Sequence, residues 1–245
     1  MPSLITFSDF NLTTPLQNAL SDLGYQNPTP IQQKVFAKMM SGVDVCGIAQ
    51  TGTGKTLAYL LPTLRQWKYS KQKNPQVLII VPTRELVVQV VDIVEKLSIY
   101  LNLDVVGVYG GTNINTQREA VQKGVDVLVA TPGRLYDLAM NGAFRTKDIK
   151  KLIIDEVDEM LNLGFRTQLK NILDLLPTRR QNLLFSATLT SEVESLMQTY
   201  FNAPEKIEAA PTGTPLQNIQ QSAYILPNYN TKINLLTLLL QTDVT

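Results

Sequence analysis

The chain predicts an α/β fold: a doubly wound, mostly parallel sheet with helices on both faces. Three observations carry this. Short runs rich in Val, Ile and Leu recur, and longer segments with helical spacing lie between them. The runs are nearly unbroken rather than alternating, which suits strands covered on both faces. A glycine-rich stretch, AQTGTGKT at 49–56, follows the first run and opens a helical segment. In such sheets ligands sit at the carboxyl ends of the strands.

In chain order, helical spacing is present at 14–23 and 30–40, ahead of a first strand at 43–49 (VDVCGIA). The helical segment 55–68 follows the glycine-rich turn, and VLIIV at 77–81 is the second strand. The clearest helix is 84–100, where Leu86, Val90, Ile93, Val94, Leu97 and Tyr100 trace one face. Strands at 104–109, 126–130, 151–154 and 182–187 then alternate with helices at 114–123, 132–140, 165–175 and 190–200. Each strand run is too short for a helix. After 203 the stretch APEKIEAAPTGTPLQN is rich in Pro, Ala and Thr with little periodicity, so 204–218 reads as a linker. The remaining 219–245 offers one strand and one helix, too few elements for a second core. The expected organisation is therefore a domain over 1–203, a linker, and the truncated start of a second domain.

Composition bounds the function. The chain has 245 residues, 44% of them apolar, enough for a sizeable core. Charged residues are 18% and mixed, so wholesale disorder is not expected. A net charge of +1 gives no overall basic footprint, and any nucleic-acid contact must rest on local features. Cys46 is the only cysteine and reads as a small buried apolar residue. Its isolation forbids an internal disulfide and fits a reducing, cytoplasmic setting. No targeting segment or long apolar run points to export or to a membrane. Histidine is absent, which removes His-based triads and His metal sites.

LIIDEVDEM, 152–160, runs apolar residues straight into Asp155, Glu156 and Asp158. Carboxylates so grouped repel one another unless a cation or a network of donors holds them. The glycine-rich stretch offers the positive partner. Across Thr51, Gly52, Thr53, Gly54, Lys55 and Thr56 the glycines let the backbone curl with its N–H groups inward. That nest and the helix N-terminus attract phosphate oxygens. Lys55 can reach the β- and γ-phosphates of a nucleotide, and the Thr56 hydroxyl can bind Mg²⁺. The usual phosphate-loop spacing has glycine where Ala49 stands. In a phosphate-loop fold the acid that ends a second strand holds the Mg²⁺ shell. Asp155 sits at such an end, and Glu156 can orient or deprotonate an attacking water. The plainer alternatives are a flexible turn with a surface lysine and a solvated acidic turn.

With these residues in hand the chain resembles the amino-terminal, RecA-like half of DEAD-box ATP-dependent RNA helicases, with Val157 in place of alanine (DEVD). The resemblance covers about 1–215 and implies a RecA-like P-loop domain. GYQNPTPIQ at 24–32 is similar to the family's adenine-reading motif, with Phe7 as the upstream aromatic. AQTGTGKT is similar to its phosphate loop, in which the family itself carries alanine at the place of Ala49. PTRELVVQ at 82–89, Gly110–Gly111 and TPGR at 131–134 resemble its RNA-facing motifs, and SAT at 186–188 its coupling motif.

Physical reasons sit beside each likeness. The Gln32 carboxamide offers a donor and an acceptor, which suits adenine rather than guanine, and Tyr25 can stack on the ring. Phe7 is expected to brace the 24–32 segment by packing. Thr83 and Thr131 are candidate N-caps, and Pro132 suits the first helical turn. A helix N-terminus with free N–H groups and an arginine is a ready phosphate site. Pro82, Thr83, Arg84, Gly110, Gly111, Thr131, Pro132, Gly133 and Arg134 would then track the backbone of one RNA strand without reading bases. The alternative is simple capping, with Arg84 and Arg134 as solvated charges. The hydroxyls of Ser186 and Thr188 can donate to Asp158 and so couple the nucleotide side to the RNA side. Phe165 reads as core, and Lys147, Lys150, Lys151, Arg179 and Arg180 as solvated surface.

The resemblance implies ATP and Mg²⁺ as cofactors and an RNA-dependent ATPase that locally unwinds or remodels RNA. Efficient hydrolysis in the family needs arginines from a second RecA-like domain, and nothing after Ile219 contains that motif. The chain alone is therefore expected to bind nucleotide, to hydrolyse it very slowly and not to unwind RNA. Rival readings are a slow-turnover ATP-dependent RNA clamp, a DNA helicase or translocase of the same superfamily, and a small-molecule kinase. The last would need an acceptor pocket and a lid arginine, and neither is evident.

Overall fold

The computed structural model of the chain describes residues 5–71, 74–208 and 222–242. The backbone divides into two compact units, Met1–Thr212 and Gly213–Thr245. Within the first, the strands are β1 (Val45–Ile48), β2 (Val77–Ile80), β3 (Val105–Val108), β4 (Val127–Ala130), β5 (Lys151–Ile154), β6 (Gln181–Ser186) and β7 (Glu205–Glu208). They form one sheet in the order β3-β4-β2-β5-β6-β1-β7, and every neighbouring pair is parallel. The helices are α1 (Thr14–Asp22), α2 (Pro30–Met40), α3 (Lys55–Gln66), α4 (Arg84–Leu97), α5 (Ile114–Gln122), α6 (Pro132–Met140), α7 (Val157–Asn162), α8 (Arg166–Leu175) and α9 (Ser191–Tyr200).

Strand residues point alternately to two separate cores, as a sheet covered on both sides requires. Ile79, Ile153, Leu183 and Phe185 pack under α1 to α4. Leu78, Ile80, Leu152, Ile154 and Leu184 pack under α6 to α9. Cys46 belongs to the second core and is fully buried, which pushes its thiol up to about 11.

Four sequence expectations are corrected. Glu205–Glu208 is a strand, not the start of a linker. It is an edge strand that buries only Ile207, so EKIE lacks the apolar run that marked its neighbours. Residues 209–218 of the expected linker lie outside the described residues. The buried stripe of α4 is Val87, Val90, Val94 and Leu97. Tyr100 is outside that stripe: it lies beyond the helix, half exposed, and its hydroxyl donates to Asp22 at 2.6 Å. Lys151 is not a solvated charge. Its ammonium donates to the Gln66 and Gln181 carboxamides, and burial lowers its pKa to about 8. Phe165 packs against the second core at its edge and is only partly buried.

The second unit contains α10 (Tyr229–Thr242), where the Asn228 carboxamide oxygen accepts from the Thr231 N–H at 2.9 Å. Residues 222–226 form no strand, and 219–221 lie outside the described residues. Among the described residues no helix is long and apolar enough to cross a membrane.

Because all seven strands run the same way, every strand delivers its carboxyl end to one edge of the sheet. The sheet order then sorts the motifs. β5, β6 and β1 are consecutive and end at Asp155, Ser186 and the glycine-rich turn. β3, β4 and β2 are consecutive and end at Tyr109–Gly111, Thr131 and Pro82–Arg84.

A candidate nucleotide site and the surface beside it

At that edge lies a cavity of about 520 Å³, lined among others by Tyr25, Gln32, Thr51, Gly52, Gly54, Lys55, Thr56, Asp155 and Glu156. These are the residues that the sequence assigns to a nucleotide, except Thr53. The Thr53 hydroxyl instead donates to the Gln50 carbonyl at 2.7 Å and closes the turn. Gly54 precedes α3 with φ +91, a left-handed conformation that glycine alone adopts without strain. A Cβ there would stand 2.5 Å from the Gln32 carboxamide nitrogen.

Lys55, the first residue of α3, is buried, and its ammonium has no hydrogen-bond partner. Asp155 is also buried and accepts from the Glu156 N–H at 3.0 Å. Burial lifts the Asp155 carboxyl to about 6, against the pull of Lys55, with the Glu156 charge adding to the rise. Tyr59, fully buried one turn along α3, packs on Phe185 at 5.3 Å, and its hydroxyl lies beside Thr56 and Asp155. Glu156 is the N-cap of α7 and sits at φ +54.

The grouped carboxylates separate in space. Asp158 accepts from both the N–H and the hydroxyl of Thr188, at 3.0 and 2.8 Å. Ser186 does not join it: its hydroxyl donates to the Thr188 carbonyl at 2.6 Å. Asp158 thus ties α7 to the segment after β6, and Asp155 and Glu156 are left facing the cavity.

Gln32 is already engaged. Its carbonyl oxygen accepts from the Thr29 N–H at 2.8 Å, and its amide nitrogen donates to the Gly54 carbonyl at 3.1 Å. It therefore clamps α2 to the glycine-rich turn, a contact that sequence spacing did not show. Tyr25 is half exposed on the cavity wall. The Phe7 N–H donates to the Gln26 carbonyl at 3.2 Å, and its ring meets Phe10 edge-on at 5.5 Å, so it braces the 24–32 segment while also lining the cavity.

These residues fit a nucleotide polyphosphate with a divalent cation. A buried ammonium without a hydrogen-bond partner and a left-handed glycine turn at a helix start suit phosphate oxygens. Among the described residues no group of three or more His, Cys, Asp or Glu could hold a metal. That agrees with Mg²⁺, which is held by one or two protein oxygens, phosphates and water. Thr56 and Asp155 are among the residues that bring side-chain oxygens to the cavity.

On the β2–β4–β3 side the expected residues divide. Arg84, Gly110 and Gly111 are exposed, and Thr83 and Gly133 are partly so. Pro82, Thr131, Pro132 and Arg134 are buried. Thr83 caps α4, its hydroxyl accepting from the Leu86 N–H at 3.3 Å, whereas Thr131 makes no side-chain cap. The Arg134 guanidinium is not a solvated charge: it donates to the Gln117 carbonyl oxygen at 2.6 Å and to the Thr112 carbonyl at 2.8 Å. The Arg84 guanidinium lies 4.9 Å from the centre of the Tyr109 ring. Gln117 and Tyr109 were not among the sequence candidates, because neither carries a charge or belongs to a recognisable spacing.

Residues 29–196 match the model of the DEAD/DEAH box helicase family. The chain belongs to this family. It is 37% identical over 225 residues to the ATP-dependent RNA helicase DeaD of Haemophilus influenzae, covering 91% of this chain and 36% of that protein. It is 36% identical over 236 residues to the DEAD-box ATP-dependent RNA helicase CshA of Bacillus subtilis, covering 96% of this chain and 47% of the relative. A solved structure of a hypothetical ATP-dependent RNA helicase from Sulfolobus tokodaii superposes with a TM-score of 0.75 at 34% identity, covering 80% of this chain and 57% of that one. The chain thus spans roughly a third to a half of the length of these two curated relatives. The fold is accordingly the RecA-like helicase domain. Its acidic motif reads DEVD, and Val157 is fully buried in the second core without displacing the motif from the cavity.

Proposed function

We propose that this chain is the ATP- and Mg²⁺-binding part of an RNA-dependent ATPase that opens or remodels RNA locally, completed by a second RecA-like domain. The observation that carries the reading is the buried Lys55 ammonium, without a partner, on the same cavity wall as buried Asp155. A triphosphate would supply the hydrogen-bond acceptors that the Lys55 ammonium does not find in the protein.

In this reading Tyr25 stacks on adenine, and Gln32 reads its edge with the N–H and lone pair left over from its contacts to Thr29 and Gly54. Thr51, Gly52, Thr53 and Gly54 bring backbone N–H groups to the phosphates, and Lys55 holds the terminal ones. Thr56 and Asp155 supply the protein oxygens of the Mg²⁺ shell. Bound Mg²⁺ would contribute charge neutralisation at the phosphates. Glu156 orients the attacking water and accepts its proton. Asp158, Thr188 and Ser186 couple this side to RNA. Arg84, Gly110, Gly111, Thr83 and Gly133 face the strand, and Arg134, Thr131, Pro132 and Pro82 support them from beneath.

Arginines from a second domain are worth about 10³–10⁵ in rate in related phosphoryl transfer. The chain alone should therefore bind ATP and turn it over very slowly. The test is ATP binding and steady-state hydrolysis by this chain, beside RNA-dependent ATPase of a two-domain protein with and without Glu156→Gln. Binding without appreciable turnover, together with an RNA-dependent rate that Glu156→Gln abolishes, is the expected result. Failure to bind nucleotide, or brisk turnover by this chain, overturns it.

A further inference from the structure

One carboxamide outside every motif joins the three stretches assigned to RNA. Gln117 lies on α5, beside the edge strand β3. Its carbonyl oxygen accepts from the Tyr109 N–H at 3.3 Å and from the Arg134 guanidinium at 2.6 Å. Its amide nitrogen donates to the Tyr109 carbonyl at 3.2 Å and to the Thr112 hydroxyl at 2.8 Å. Tyr109 is the residue after β3, where the sheet has no outer neighbour, so the side chain of Gln117 takes the place of a missing strand. The ring of Tyr109 in turn lies under the guanidinium of Arg84. The path Arg134–Gln117–Tyr109–Arg84 therefore links the segments after β4, β3 and β2.

We infer that Gln117 is a positioning residue that fixes Gly110–Gly111 and both arginines as one rigid phosphate-tracking surface. This rests on the RNA-binding reading above. Among the described residues neither Arg84 nor Arg134 forms an ion pair with a carboxylate. No carboxylate cancels either charge: Arg84 is exposed to an outside anion, and buried Arg134 adds its positive field from beneath the loop that carries the glycines. A carboxamide suits the central place because it donates and accepts at once and adds no charge of its own. A carboxylate there would neutralise Arg134, and an apolar residue would leave the Tyr109 N–H without its partner and the Arg134 guanidinium with the Thr112 carbonyl alone.

The test is titration of this chain with a labelled single-stranded RNA over a series of salt concentrations. The logarithm of affinity falls with the logarithm of salt at a slope of about 0.7 per phosphate contact on a single strand. Gln117→Leu removes no charge, yet it should weaken binding about tenfold and lower that slope by about 0.7 or more, the loss of one or two phosphate contacts. ATP affinity should stay unchanged. Tyr109→Leu, which leaves the carboxamide network and removes only the ring under Arg84, should lower the slope in the same direction and serves if Gln117→Leu does not fold. Arg84→Ala separates the two ideas. If Arg84→Ala weakens RNA binding while Gln117→Leu and Tyr109→Leu leave the slope untouched, the inference fails and the RNA reading stands. If the unmodified chain binds no RNA, or Arg84→Ala is without effect, the RNA reading itself fails.

Discussion

Lys55 and Asp155 share one cavity wall, yet the lysine ammonium has no hydrogen-bond partner, and Asp155 takes its hydrogen bond from the Glu156 backbone. Two opposite charges are buried close enough to influence each other without being paired. Removing charges from water costs stability unless partners offset the loss. Burial of the unpaired Lys55 ammonium is therefore a strain on the fold, which a bound triphosphate would offset in the proposed reading.

Lys55→Met should expose that strain. Charged hydrogen bonds contribute about 1.5–3 kcal/mol, so ATP affinity should fall roughly tenfold to a hundredfold. The thermal midpoint of the ligand-free chain should hold or rise. Calorimetric titration and a melting curve measure both, and a lower midpoint with unchanged affinity would contradict the assignment.

Asp155 sets a pH dependence. Its folded-state pKa is raised from 3.8 to about 6. The folded chain therefore binds this proton more tightly than the unfolded one, and the penalty of burying the charge grows as pH rises between those values. Mg²⁺ needs the ionised carboxylate. The Mg²⁺-dependent gain in ATP affinity should shrink below about pH 6 and grow above it. Asp155→Asn should abolish the gain at every pH and leave ligand-free stability at neutral pH no lower than before. A Mg²⁺ effect that is flat across this range would remove Asp155 from the metal shell.

Gly54→Ala should be damaging out of proportion to one methyl group. A side chain in the left-handed region costs about 1–2 kcal/mol. Here the added carbon would also meet the Gln32 amide nitrogen at 2.5 Å and displace it from its bond to the Gly54 carbonyl. Loss of ATP binding with a modest drop in chemical stability is expected. Retention of full affinity would mean that the turn does not hold phosphate in this geometry.

Lys151 gives a stability signature apart from function. Its folded pKa is lowered from 10.5 to about 8 by burial. Below about pH 8 both states are charged and the burial penalty is complete. Between those two values the unfolded chain binds more protons, so stability rises with pH. The unfolding free energy of the native chain minus that of Lys151→Met should increase over this interval. A difference that stays constant there would show the ammonium to be solvated.

How far the molecule was legible follows from what each feature leaves in the sequence. VLII at β2 and KLII at β5 are unbroken because both faces are covered, and such runs mark themselves. EKIE at β7 hides because an edge strand needs only Ile207 inside. That the residues of the glycine-rich stretch line one cavity was legible because the pattern is local, strand then glycines then Lys-Thr. The contacts of Arg134, Gln32 and Ser186 within the protein were not legible for the opposite reason. The Arg134 partners Gln117 and Thr112, and the Gln32 partner Gly54, stand many positions away. Ser186 turns to a backbone carbonyl that no side-chain pattern records. In the sequence Lys151 reads as surface because its carboxamide partners Gln66 and Gln181 come from α3 and β6.

The two rims of the sheet are unequally defended. On β7, Glu205, Lys206 and Glu208 alternate with the single inward isoleucine, Lys38 pairs with Glu205 at 2.7 Å, and Lys34 occupies the Glu208 carbonyl at 2.8 Å. A foreign strand arriving there would have to strip water from charges and displace a lysine. On β3, Val105–Val108 offers no charged side chain at all. Heat-induced clumping of the isolated domain should accordingly begin at the valine rim, and protection from exchange with deuterium during early aggregation would reveal it there first.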